Sequence, residues 1–262
     1  MEIGIVGAGT MGAIIADAID RDAGPVRLVG IADLDQEKAR RLSERLMSRP
    51  PVLTLSELAE RSSVLVECAG VGAVPDVIAA AESHDADLIV LSVGGLLDRT
   101  GPPGSDLSRI YCPSGAIAGL DAIRAAAVGR IDSSSITTRK PPAGLRDNPY
   151  LESQGIDLAN LTAPRTVFEG SAREACRAFP ANINVAAALS LAGIGPDRTT
   201  VRIIADPGVE RNIHEVEVTG DFGRIRTTTE NEPSDNPKTS RLAALSAIAL
   251  IRGLTTRMRV GS

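Results

Sequence analysis

The stretch Ile3-Gly4-Ile5-Val6-Gly7-Ala8-Gly9-Thr10-Met11-Gly12 decides the fold. A short apolar strand over 3–6 runs into a GxGxxG turn, and residues 10–22 follow with the apolar spacing of a helix. In such a turn Gly7 permits the sharp reversal, Gly9 lets a pyrophosphate approach the backbone, and Gly12 lets the helix pack closely on the strand. The helix N-terminus at Thr10 and Met11 offers free N–H groups to phosphate oxygens. Asp33 ends the second apolar strand, 26–32, where an acid accepts hydrogen bonds from the adenosine ribose hydroxyls. Together these residues predict a dinucleotide site; a glycine turn that merely joins strand to helix is the bland alternative. Asp33 and Asp35 would repel a 2′-phosphate, which favours NAD, while Lys38 or Arg40 could turn in to accept NADP.

Outward from this unit, strand and helix patterns alternate. An amphipathic helix is expected over 36–47, a helix capped by Ser56, a strand over 64–68, a helix over 75–82, and strands over 88–92 and up to about Cys112. Strands separated by crossover helices imply parallel pairing with helices on both faces, so residues 1–115 read as a doubly wound α/β (Rossmann) domain. Two further glycine-rich strand ends, Cys68-Ala69-Gly70-Val71-Gly72 and Ser92-Val93-Gly94-Gly95, fall on the carboxyl edge where ligands lie in open sheets. Cys68 and Ala69 are therefore cofactor candidates, with ordinary turn chemistry as the alternative and the Cys68 thiol itself read as packing.

After Gly115 the pattern changes to a helix over 117–128 and strands over 134–140, 165–169, 200–205, 212–219 and 224–229. The last two are joined by a GDFG turn that reads as a hairpin. Residues 116–237 are thus expected to form a second α+β domain with a mainly antiparallel sheet, and the helix within 238–262 is expected to return to the first. The uncharged stretch 178–196 contains Pro180, Asn182, Asn184, Ser190 and two glycines, so it reads as a buried core helix and not a membrane span.

With 43% hydrophobic and 23% charged residues, the 262-residue chain has the composition of a globular protein, neither disordered nor disulfide-scaffolded. A chain of this size buries roughly 70–75% of its unfolded surface and needs no staples. A net charge of -5 and only five Phe and Tyr, with no Trp, leave neither a basic footprint nor stacking platforms for nucleic acid. Cys68, Cys112 and Cys176 are odd in number and far apart, which suggests reduced thiols in a cytoplasmic protein, without a disulfide or metal site. The N-terminus opens on a strand with no basic segment before it and is not read as a signal peptide.

Only two histidines are present. His84 lies in the polar connection SHDAD and reads as solvated. His214, in NIHEVEV, shares a strand face with Val216 and Val218 while Glu215 and Glu217 point the other way. A satisfied core histidine is one reading. A proton carrier is the other, because oxidising a substrate beside a nicotinamide fold needs a group that titrates near neutral pH.

Five blocks, YCPSGAIAGLDAI (111–123), TTRKPP (137–142), FEGSAREACRAFPANINVAAALSLAG (168–193), DPGVERNIHEVEVTGDFG (206–223) and NEPSDNPKTSRLAALS (231–246), resemble the L-aspartate dehydrogenase family. With the N-terminal GAGTMG they span nearly the whole chain in order. The resemblance implies NAD- or NADP-dependent oxidative deamination of L-aspartate through iminosuccinate to oxaloacetate and ammonia, in a homodimer. It implies His214 as the catalytic residue and cofactor contacts at Ala118 and Asn184, with Ser114, Gly115, Ala116 and Asn182 beside them. The substrate is a dicarboxylate and needs cations or N–H donors, for which Lys140, Arg139, Asn182 and the helix start at Thr239 and Ser240 are candidates. A plain helix start and a surface lysine are the alternatives there. A related reductase of the same layout, an enzyme for another amino or imino acid, and a nicotinamide-sensing regulator without turnover are the rival functions. Supply of the imine to pyridine nucleotide synthesis is one role such an enzyme can have.

Overall fold

Glu2–Val6 (β1), Arg27–Ala32 (β2), Val64–Glu67 (β3), Asp87–Val90 (β4) and Ile110–Tyr111 (β5) are joined all-parallel, in the computed structural model, in the order β2-β1-β3-β4-β5. The structure describes residues 1–22, 24–98, 108–180, 183–232, 240–258 and 260. Near-continuous apolar strands are what a sheet covered on both faces requires. Period-two alternation divides the side chains between the faces. Ile3, Ile5, Val64, Val66 and Ile89 share a core with Ile15 and Ile19 of Thr10–Asp20 (α1) and Ala39 and Leu42 of Gln36–Arg45 (α2). Leu65, Leu88 and Val90 pack on the other side against Leu58 of Leu55–Arg61 (α3) and Val77 and Ile78 of Val74–Ser83 (α4).

The cap of α3 is Thr54 and not Ser56. Thr54 forms a reciprocal capping box with Glu57, whose carboxylate accepts the Thr54 N–H, and a box satisfies two orphan donors where a lone serine satisfies one.

The second sheet has the order β10-β9-β6-β8-β7, from Ile131–Lys140 (β6), Arg165–Ser171 (β7), Thr199–Ala205 (β8), Asn212–Gly220 (β9) and Gly223–Asn231 (β10). Three of its pairings are antiparallel; β6 and β8 run parallel. Its inner face, with Ile136, Val201, Ile203, Val216 and Val218, is covered by Leu120–Ala126 (α5), Ala172–Ala178 (α7) and Asn184–Ala192 (α8). A short helix, Pro149–Ser153 (α6), brings Tyr150 against Phe168 and Phe179, with ring centroids 5.4–5.8 Å apart. Two expectations change here. The stretch 178–196 is not one helix: α7 ends at Ala178, Pro180 cannot continue it, and α8 starts afresh at Asn184. The helix expected from residue 117 starts at Leu120, after Gly119 takes a left-handed φ of 86°.

The chain divides into two compact units, Met1–Pro113 with Ala244–Arg259, and Ser114–Ala243 with Val260–Ser262. The last helix, Arg241–Thr255 (α9), places Ala244, Ala247, Ile248 and Ile251 in the α1 side of the first core.

Candidate active site

In the glycine loop of the first unit, two glycines are required by the surrounding backbone and one is not. Gly7 has φ 101° and a Cβ on it would stand 2.6 Å from the Cys68 backbone carbon; a Cβ on Gly12 would run into the Gly7 carbonyl oxygen. Both are needed for packing. Gly9 is different: its φ is -73°, and a Cβ there would meet nothing within 4 Å except the Lys38 ammonium, 3.7 Å away. The bare backbone at Gly9 is thus not explained by the protein's own atoms, and it leaves an open cradle at the N-terminus of α1, where Thr10 and Met11 begin the helix without a side-chain cap. This is the arrangement a pyrophosphate requires.

Asp33 sits at the end of β2 with its carboxylate held in place. Its Oδ2 accepts the Ala8 N–H at 2.6 Å and its Oδ1 the Asp35 N–H at 2.9 Å. Each oxygen keeps a lone pair for a ribose hydroxyl.

Sequence reasoning missed Glu67. It ends β3, is 0% exposed, and accepts the N–H groups of Ala69 and Gly70 at 2.8 Å, the Ser92 hydroxyl at 2.8 Å and the Ser92 N–H at 2.9 Å. Burial pushes its carboxyl above the usual range, and these four donors pull against that. Glu67 therefore ties the turn at Cys68 and Ala69 to the turn after β4. The available signal was a carboxylate closing an otherwise apolar run, VLVE. Cys68 fits its reading as packing: burial, and then the Glu67 charge, keep its thiol protonated.

In the second unit, the register of β6, β9 and β10 lays Thr138, His214 and Thr229 in one row across the inner face. His214 is 3% exposed, and its Nδ1 lies 3.0 Å from the Thr138 hydroxyl. If that hydroxyl accepts from Nδ1–H, Nε2 is left with its lone pair. Lys140, two residues beyond Thr138 on the same strand face, is 3% exposed. Burial lowers its pKa to about 8. Burial, and then the Lys140 charge, lower that of His214 to about 3. His214 is thus a neutral imidazole at working pH, next to a cation.

Thr229 and Asn231 also reach the segment that contains Ser114, Gly115 and Ala118. Both donate to the Ala116 carbonyl, at 2.8 and 3.0 Å, and Thr227 donates to that of Ala118 at 3.2 Å. Three residues of one strand face fix this loop, and Gly115 turns it with φ 65°. Asn184 opens α8. Ser240 is buried and accepts from Asn212 at 3.5 Å. Arg139 is committed to Asp206 and Glu215, each at 3.6 Å. Asn182 and Thr239 lie outside the described residues.

Comparison with known proteins shows the family. Residues 121–254 match the family model described as aspartate dehydrogenase, C-terminal, and residues 7–101 match the NAD-binding domain of homoserine dehydrogenase. The chain is 46% identical over 267 residues to an L-aspartate dehydrogenase of Methanocella arvoryzae, covering 99% of both. The chain belongs to the aspartate dehydrogenase family. A Bradyrhizobium diazoefficiens aspartate dehydrogenase is 42% identical over 100% of this chain and 94% of its own. The crystal structure of the Thermotoga maritima aspartate dehydrogenase superposes with a TM-score of 0.75 at 25% identity, covering 100% of this chain and 99% of that one. As a member of that family the chain is an NAD-dependent oxidoreductase, and its α/β fold agrees with the solved aspartate dehydrogenase.

Proposed function

We propose that the protein oxidises L-aspartate, with NAD and secondarily NADP, to iminosuccinate and on to oxaloacetate and ammonia, with His214 as the proton carrier. The observation that carries this reading is the buried Thr138–His214 pair beside Lys140. The glycine loop, Asp33, Cys68 and Ala69 would hold the coenzyme, together with Ser114, Gly115, Ala118 and Asn184, and its bound nicotinamide would supply the acceptor for the C2 hydride. Lys140 holds a substrate carboxylate, with Asn182, Thr239 and Ser240 as further substrate contacts. Neutral His214, oriented by Thr138, takes at Nε2 the proton of the water that attacks the imine carbon. Burial is the larger cause of the low basicity of His214 and the Lys140 charge the smaller, so a carboxylate paired with Lys140 would relieve only the smaller of the two.

Ammonium-dependent oxidation of NADH at saturating oxaloacetate tests the reaction. His214→Ala should lower its kcat by about 10²–10⁴-fold while NADH still binds. A folded variant that keeps its rate would remove His214 from the chemistry, and a wild type with no ammonium-dependent signal would move the substrate to another imino acid.

We further assign the enzyme to the cytoplasm as a homodimer without nucleic-acid or membrane partners, with the imine able to feed pyridine nucleotide synthesis. None of Cys68, Cys112 and Cys176 is in a disulfide, which supports the reducing compartment. Sedimentation checks the two-fold pairing. Among the described residues no helix is long and apolar enough to cross a membrane.

A further inference from the structure

We propose that Lys38 is the residue that admits the 2′-phosphate of NADP, so that the coenzyme site accepts both nucleotides despite Asp33. The inference rests on the reading above that NADP is a second coenzyme, and it names the group that makes this so.

The β2–α2 corner holds the argument. Asp33 is fixed by two backbone N–H groups and cannot swing aside, so a 2′-phosphate must be accommodated beside a carboxylate. Asp35 adds less repulsion than the sequence suggests. Its Oδ1 accepts the N–H groups of Glu37 and Lys38 at 3.1 Å, capping α2, so its charge is turned onto the helix N-terminus. Leu34, between the two acids, is fully exposed and offers an apolar surface of the kind an adenine ring rests on.

Three cations follow in the first turns of α2. Arg40 and Arg41 both pair with Glu37, at 2.8 and 3.2 Å. Arg40, the other cation at this corner, is turned toward Glu37 in an exposed pair, and it serves as the comparison for Lys38. Lys38 makes no ion pair or side-chain hydrogen bond among the described residues, and its ammonium stands over Gly9 on the same side as the open cradle. Lys38 thus brings an unspent ammonium beside the glycine loop, on the helix that follows the strand ending at Asp33. One charge-assisted contact to a phosphate dianion offsets the repulsion of the half-buried Asp33 carboxylate only in part, so NADP binds more weakly than NAD and binds because of Lys38.

The test is direct binding of NADPH and NADH, without substrate, to the wild type and to Lys38→Ala, Lys38→Arg and Arg40→Ala, followed by nucleotide fluorescence at low salt. The two nucleotides share the pyrophosphate and differ only in the 2′-phosphate. The expected result is that Lys38→Ala raises the NADPH-to-NADH ratio of Kd values by about tenfold or more. Lys38→Arg should restore most of the ratio and Arg40→Ala should leave it at the wild-type value. An unchanged ratio in Lys38→Ala overturns the assignment. So does a parallel loss of both affinities, which would give Lys38 to the pyrophosphate. A wild type that binds NADH but not NADPH overturns instead the reading of NADP as a second coenzyme. Because no aspartate is present, none of these outcomes depends on the substrate being right.

Discussion

Gly9 and Gly12 are three residues apart in one motif, and their structural demands separate them. A Cβ on Gly12 would collide with the Gly7 carbonyl, so Gly12→Ala must push α1 away from β1 and lower stability. Gly9 has an ordinary φ and open space, so Gly9→Ala should leave the melting temperature near the wild-type value while NADH affinity falls by about tenfold or more, the methyl group standing where the pyrophosphate must approach. Thermal melting beside fluorescence titration checks both, and equal losses in the two variants would refute the distinction. Lys140 makes a second prediction. Buried, it loses its proton near pH 8, and with the proton would go the charge proposed above to hold a carboxylate. Succinate, a dicarboxylate with no amine to titrate, should inhibit competitively with a Ki that is level below about pH 8 and rises above it. In Lys140→Met the Ki should be high and independent of pH. A wild-type Ki that stays level to pH 9.5 would place the carboxylate elsewhere.

The elements were readable wherever the signal was local. The strand, glycine turn, helix and acid of the first βαβ unit lie in one continuous run, and each residue type answers to its own backbone. Thr138 could not be read, because its role depends on a cross-strand register that brings it opposite His214, 76 residues away in sequence. The same holds for Thr229 and Asn231, whose partner Ala116 is more than a hundred residues earlier. Glu67 escaped for another reason: a carboxylate at a strand end is by default solvated, and only the turns after β3 and β4 together supply enough donors to bury it. That arrangement makes Glu67→Gln informative. The amide keeps one acceptor oxygen but sets an NH2 group against the Ser92 N–H or the Ala69 and Gly70 N–H groups, leaving buried donors facing donors. The expected loss is about 1–3 kcal/mol in urea unfolding, with weaker NADH binding as the two turns loosen. Unchanged stability would mean that the four hydrogen bonds are replaceable by water.

At the scale of the whole molecule, the coenzyme-binding unit is built from both ends of the chain. α9 is the last helix, yet Ala244, Ala247, Ile248 and Ile251 lie in one core with Ile3, Ile5, Ile15 and Ile19. What holds it there is burial: the Arg252–Asp22 pair at 3.1 Å is solvent-exposed and adds little. The first unit is therefore incomplete until the final helix has been made, and a defect near residue 251 should be felt at the glycine loop and not in the second sheet. Ile251 is 2% exposed, so Ile251→Ala should cost about 2–5 kcal/mol through lost transfer energy and the cavity left behind. Amide exchange should accelerate in β1 and α1 while β6, β8 and β9 keep their protection. NADH binds only the folded unit, and at a hundredfold excess over Kd it returns about 2.7 kcal/mol, enough to offset much of that loss. The variant should therefore recover most of its melting temperature on adding NADH. Acceleration in the second sheet instead, or no recovery with NADH, would show that α9 does not complete the coenzyme-binding core.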